Sequence, residues 1–85
     1  MKTQIVCKFQ LGHGAAVTYS IEGRDLPIAE IYYLDNGFLV LHATTIGGYT
    51  RKVYMSQESA EKAATCEAIR FAKYYWDEAE IVYAL

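Results

Sequence analysis

Apolar and polar residues alternate through most of the first 55 positions, and the alternation changes period near Ser56. Ile5, Cys7, Phe9 and Leu11 share one parity, and Gln4, Lys8 and Gln10 share the other with Val6, so Thr3 to Leu11 reads as a half-buried strand. Val17, Tyr19 and Ile21 alternate with Thr18, Ser20 and Glu22, which makes Ala15 to Glu22 a second strand. The glycines of Gly12-His13-Gly14 between them can take positive φ, so the pair predicts an antiparallel hairpin. Gly23-Arg24-Asp25 is the next turn, and Pro27 keeps that point out of a central strand.

Ile28 to Asp35 is open to two readings. Pro27 could start a short helix. Asn36-Gly37, however, lies between two apolar runs, the strongest short hairpin signal, and favours a strand that returns as Phe38 to Ile46. Gly47-Gly48 then turns the chain into a fifth strand, Tyr49 to Met55, and Glu80 to Leu85 reads as a short sixth. If Asn36-Gly37 and Gly47-Gly48 are both two-residue loops, they set a register. Leu34 then faces Leu39, Tyr32 faces Leu41, and Leu41 faces Tyr54. On the other side Tyr33 lies across from Val40, Ile31 from His42, Val40 from Met55, and His42 from Val53. Both faces of this part are apolar or aromatic.

Ser56 to Trp76 reads as the one long helix. Ser56 is a good N-cap, and Glu58 and Glu61 place negative charge near the positive end of the helix dipole. Five alanines favour helix, and neither Pro nor Gly occurs from Ser56 to Leu85. Ala60, Ala64, Ala68, Ile69, Phe71, Ala72, Tyr75 and Trp76 fall in about half of the helical circumference. Lys62, Ala63, Cys66, Glu67, Arg70, Lys73 and Tyr74 fall in the other half. Such a wide apolar arc suits a sheet, with the alanines allowing close approach and the terminal aromatics filling space where the sheet twists away. The expected fold is therefore a single α+β domain spanning residues 1–85. It is an antiparallel sheet of five or six strands, built from hairpins, with the long C-terminal helix on one face and a short final strand.

One helix covers one face. Either the Tyr32/Leu34/Leu39/Leu41/Tyr54 face or the Ile31/Tyr33/Val40/Val53/Met55 face should then meet another molecule, either a foreign protein or a second copy. The competing expectation is a strongly coiled sheet whose terminal strands and Pro27 loop close the second face.

Composition narrows the function classes. Of 85 residues, 53% are hydrophobic and one is proline, which excludes general disorder. A net charge of −2 argues against a dedicated nucleic-acid binder. No apolar run is long enough to span a membrane, and the alternating N-terminus does not read as a signal peptide, so the expected location is cytoplasmic. Cys7, Cys66, His13 and His42 occur in no paired spacing, so neither metal nor cofactor is expected. Cys7 alternates with Ile5 and Phe9 as a packed thiol. Cys66 lies on the polar helix half with no histidine placed to serve as its base. With no convergent acid/base pair, the chain is not expected to be an enzyme. Its oddity is aromatic: eight Tyr, three Phe and one Trp. Strands favour aromatics, and so do protein interfaces. Tyr32-Tyr33 and Tyr74-Tyr75 are neighbours in sequence, so each pair should keep at least one ring near the surface. Tyr32, Tyr33, Tyr54, Tyr74 and Trp76, with Arg51 and Lys52, are the candidate partner-binding residues.

The strand ending at Met55 and the following Ser56-Gln57-Glu58-Ser59-Ala60-Glu61-Lys62-Ala63 resemble the strand-to-helix junction of the AP2-like DNA-binding arms of phage integrases. That resemblance covers about 30 residues and implies a βββα nucleic-acid module with Arg51 and Lys52 as its basic residues. In size and strand-plus-helix plan the chain is also similar to small phage-encoded inhibitors, anti-CRISPR proteins among them. That likeness implies an inhibitor of a host defence complex or enzyme, working by protein binding.

Overall fold

The computed structural model describes residues 3–9, 16–24, 26–76 and 78–84. Strands β1 (Thr3–Phe9), β2 (Val17–Ile21), β3 (Ala29–Leu34), β4 (Gly37–Ala43) and β5 (Tyr49–Tyr54) precede helix α1 (Gln57–Trp76), and β6 (Ala79–Ala84) follows it. The strands form one sheet in the order β5-β4-β3-β2-β1-β6. The fold is thus α+β, with the long helix and final strand where the periodicity places them. Within residues 28–35 the chain is strand from Ala29 to Leu34, not helix, as Asn36-Gly37 suggests. The expected Gly12-His13-Gly14 turn lies outside the described residues.

Every pairing is antiparallel except β1 with β6, which is parallel. The reason lies in the path of the chain. Four antiparallel steps leave β5 running in the same direction as β1. The helix then carries the chain back to the starting end, so β6 must run alongside β1. Since β5 and β6 are opposite edges, the helix also has to cross five inter-strand spacings, roughly 24 Å. Its 20 residues span roughly 30 Å, enough to do so.

Ser56 caps the helix: Ser59 N–H donates to Ser56 Oγ at 3.1 Å. Ala60, Ala64, Ala68, Phe71 and Ala72 are buried on the sheet, and Ile69 packs at their margin. Beneath them lie Ile5, Cys7, Val17, Tyr19, Ile21, Ile31 and Val40, all buried. The small alanine side chains let the helix settle close to this layer. Tyr75 and Trp76 do not fill space beneath the helix; both are exposed, and they stack in sequence on Phe71. The helix must deliver the chain to edge strand β6 three residues after Trp76, a reach of at most about 10 Å. Its last turn therefore sits at the rim of the sheet.

Both expected loops are corrected, the first in position and the second in length. The first turn is Asp35-Asn36, and Gly37 already belongs to β4, paired with Leu34. Tyr32 therefore faces Leu39 rather than Leu41. The shift is an even one, so β3 and β4 keep their expected faces. The second loop is five residues long, Thr44 to Gly48. Thr44 Oγ1 donates to Gly47 O at 2.5 Å, Gly47 N–H to Thr44 O at 3.2 Å, and Thr44 N–H to Gly48 O at 3.1 Å. Both glycines adopt positive φ, +98° and +76°. Leu39 now pairs with Val53 and Leu41 with Arg51. This change is odd, so it turns every β5 side chain to the opposite face.

Candidate functional site

The register divides the sheet into two unlike faces. On the helix side lie Ile5 and Cys7, Val17 and Tyr19, Ala29 and Ile31, then Phe38, Val40 and His42, with Lys52 and Tyr54 on the edge strand. Tyr19 and Thr65 join sheet and helix through their hydroxyls, 3.0 Å apart.

The other face carries Tyr32 and Leu34 from β3, Leu39 and Leu41 from β4, and Arg51 and Val53 from β5. No described element lies over these residues. Val53 is 50% exposed and Leu34 42%, while Tyr32, Leu39 and Leu41 are half-buried. Terminal strands β1 and β6 widen the sheet instead of folding over it. They carry a more mixed part of this face, where Lys8 lies beside Thr18, the Gln4 amide donates to Glu80 Oε1 at 3.4 Å, and Val6 pairs with Val82 between them. The Pro27 segment closes only the end nearest the 44–48 loop. There Tyr49 donates its hydroxyl to Pro27 O at 2.8 Å, and Ala43 is buried. Of the two faces foreseen as candidates, the Tyr32/Leu34/Leu39/Leu41 face is the open one, with Val53 in place of Tyr54. The Ile31/Tyr33/Val40 face holds the core.

The seven candidate binding residues do not converge. Tyr32 and Arg51 are on the open face. Tyr32 donates to Glu30 Oε2 at 3.1 Å, and burial together with that carboxylate pushes its phenol above the ordinary range. Tyr33 lies on the helix side at the sheet's end, half exposed and edge-on to Phe38. Tyr54 is also on the helix side, packed at the margin of the core, with Lys52 Nζ 5.3 Å from its ring centroid. Tyr74 and Trp76 are exposed at the far end of the helix. Arg51 and Lys52 are neighbours in a strand, so they point to opposite faces and form no common basic stripe.

A second grouping was not legible beforehand. A shallow cleft of about 160 Å³ is lined by His42, Ala43, Thr44, Thr45, Glu67, Arg70 and Phe71. His42 Nδ1 lies 3.9 Å from Glu67 Oε2, and Arg70 Nη1 lies 3.3 Å from Glu67 Oε1. A histidine beside a carboxylate is a familiar proton-handling pair. Here the carboxylate is shared with Arg70, and the nearby Thr44 hydroxyl is committed to Gly47 O. The volume also falls below the roughly 300–1,000 Å³ of small-molecule sites. The cluster reads as a polar tether between β4 and the helix. No sequence spacing signals it, because residues 42 and 67 meet only once the helix lies across β4.

Cys7 is buried and Cys66 exposed. Burial pushes the Cys7 thiol up; a hydrogen bond with Tyr19 opposes this, and Glu61's charge adds to it. Among the described residues no group of three or more His, Cys, Asp or Glu is placed to hold a metal ion, and no helix is long and apolar enough to cross a membrane. No family model matches the chain, and neither a curated protein nor a solved structure matches it.

Proposed function

We propose that this protein is a non-catalytic protein-binding module that works by laying the open face of β3, β4 and β5 against a partner's surface. One observation carries this reading: Tyr32, Leu34, Leu39, Leu41 and Val53 form a contiguous apolar surface that no described element covers. No cavity opens among these residues, and an open sheet face suits a protein surface better than a small ligand, which needs a concave site. The most concrete version is an inhibitor of a host defence complex or enzyme, encoded by a phage or mobile element. The support for that version is the likeness in size and plan to anti-CRISPR proteins, and it would act by occupancy alone.

The test substitutes charge into the face. Leu39→Asp and Val53→Asp should abolish capture of the partner while the variants still melt cooperatively. Capture unaffected by either substitution would move the binding surface elsewhere. The nucleic-acid reading makes a different prediction, salt-dependent binding of an oligonucleotide that weakens on Arg51→Ala. The separation of Arg51 from Lys52 and the apolar character of the open face both speak for the protein partner.

A further inference from the structure

We infer that the occupant of the open face is a second copy of this chain, stacked sheet to sheet about a two-fold axis that runs along β4. The inference rests on reading that face as a protein-binding surface, and it names what binds. The observation behind it is the order of charges across one row of the face. Glu30 on β3 pairs with Leu41 on β4, and Leu41 pairs with Arg51 on β5. An acid, an aliphatic residue and a base thus lie side by side, with the acid and base about 10 Å apart at two strand spacings. Neither Glu30 nor Arg51 has an ion-pair partner among the described residues. Glu30 is held in place by the Tyr32 hydroxyl.

A two-fold axis along β4 lays β3 of one copy over β5 of the other. Glu30 then meets Arg51 of the second copy, and the same contact occurs again by symmetry. Leu39 and Leu41 lie on the axis and meet their own counterparts, while Tyr32 covers Val53 of the second copy. Strands related in this way are nearly aligned, the usual arrangement of stacked sheets. Lys8, Gln4 and Glu80, at the other side of the sheet, fall outside the overlap and stay in water. The overlapping area is three strands wide and about six residues long, roughly 14 by 20 Å. That is well below the roughly 800 Å² per partner of a standard stable interface, so the dimer should be weak and should compete with a foreign partner for the same face.

Sedimentation equilibrium from about 10 μM to about 1 mM should show monomers passing to dimers. Glu30→Arg or Arg51→Glu alone should weaken the dimer at least about tenfold, and the double reversal should restore it. A protein that stays monomeric throughout overturns the inference. So does a dimer that the double reversal fails to restore, because the charges then do not face each other. Should Glu30→Arg fail to fold, Arg51→Glu on the exposed edge strand carries the test, and a dimer indifferent to it overturns the geometry. A photo-crosslinking residue at position 39 separates this failure from failure of the broader reading. A self-adduct supports the dimer. An adduct only with another protein in lysate of the source cells overturns the dimer and leaves the protein-binding reading standing. No adduct of either kind overturns both.

Discussion

Tyr19 Oη and Thr65 Oγ1 lie 3.0 Å apart and join the middle of the sheet to the middle of the helix. Tyr19 is 2% exposed, and burial pushes its phenol far above the ordinary value of 10.0; the bond to Thr65 opposes the shift. Cys7 packs beside it, with its thiol raised above 9.0 in the same way. The folded state thus disfavours both anions, and the unfolded chain ionises first as pH rises. Stability is full below the unfolded values and falls above them.

Tyr19→Phe should cost about 1–2 kcal/mol near neutral pH, the worth of a buried hydrogen bond and the group left without it. The variant no longer ionises at this position, so its deficit should shrink above about pH 10. Urea midpoints from neutral pH upward would show the two curves converging. A constant gap would mean that ionisation of Tyr19 has no part in alkaline unfolding.

Ala68 is fully buried against the sheet, while Lys73 points to solvent. Ala68→Asp should place an unpaired carboxylate in the core and cost about 3–5 kcal/mol. Lys73→Ala should cost less than about 0.5 kcal/mol. Thermal melts of the two variants should differ by about 10 °C or more, taking about 4–8 °C per kcal/mol for a domain of this size; similar shifts would mean that the helix is rotated.

A Cβ on Gly37 would lie 3.0 Å from Tyr54 O and 3.0 Å from Val53 Cγ1. This glycine serves close approach of β5, not the turn. Gly37→Ala should push the edge strand outward and cost about 1–3 kcal/mol. Hydrogen exchange should quicken most along β4 and β5, beyond the increase that β1 and β2 share with the whole domain. Uniform quickening would indicate global destabilisation.

The thiols offer a readout of topology. Cys66 should react with a maleimide in the native protein, whereas Cys7 should wait for unfolding. Peptide mapping of singly labelled protein would assign the site, and label on Cys7 under native conditions would contradict its burial.

Local pattern by itself determined the element order, the Ser56 cap, the buried arc around Ala68, the burial of Cys7 and the division of β3 and β4 side chains into two sets, though not which set holds the core. Each of these depends on a short segment whose apolar residues repeat at one period, so outside β3 and β4 the segment has one low-energy way to meet a core. Tertiary structure decided the rest. In β5, Tyr49, Arg51 and Val53 alternate with Thr50, Lys52 and Tyr54, so either set could face the core at similar cost. The hydrogen bonds of Thr44 lengthen the preceding loop and settle which set does, placing Val53 and Arg51 on the open face. The direction of β6 was equally open, because alternation looks the same read either way along a strand. Only the helix, crossing from one edge of the sheet to the other, sets β6 parallel to β1 and brings Glu67 to His42. The apolar face that no described element covers is legible as a surplus of apolar residues, but its residues and its row of charges come from a register that local periodicity does not contain.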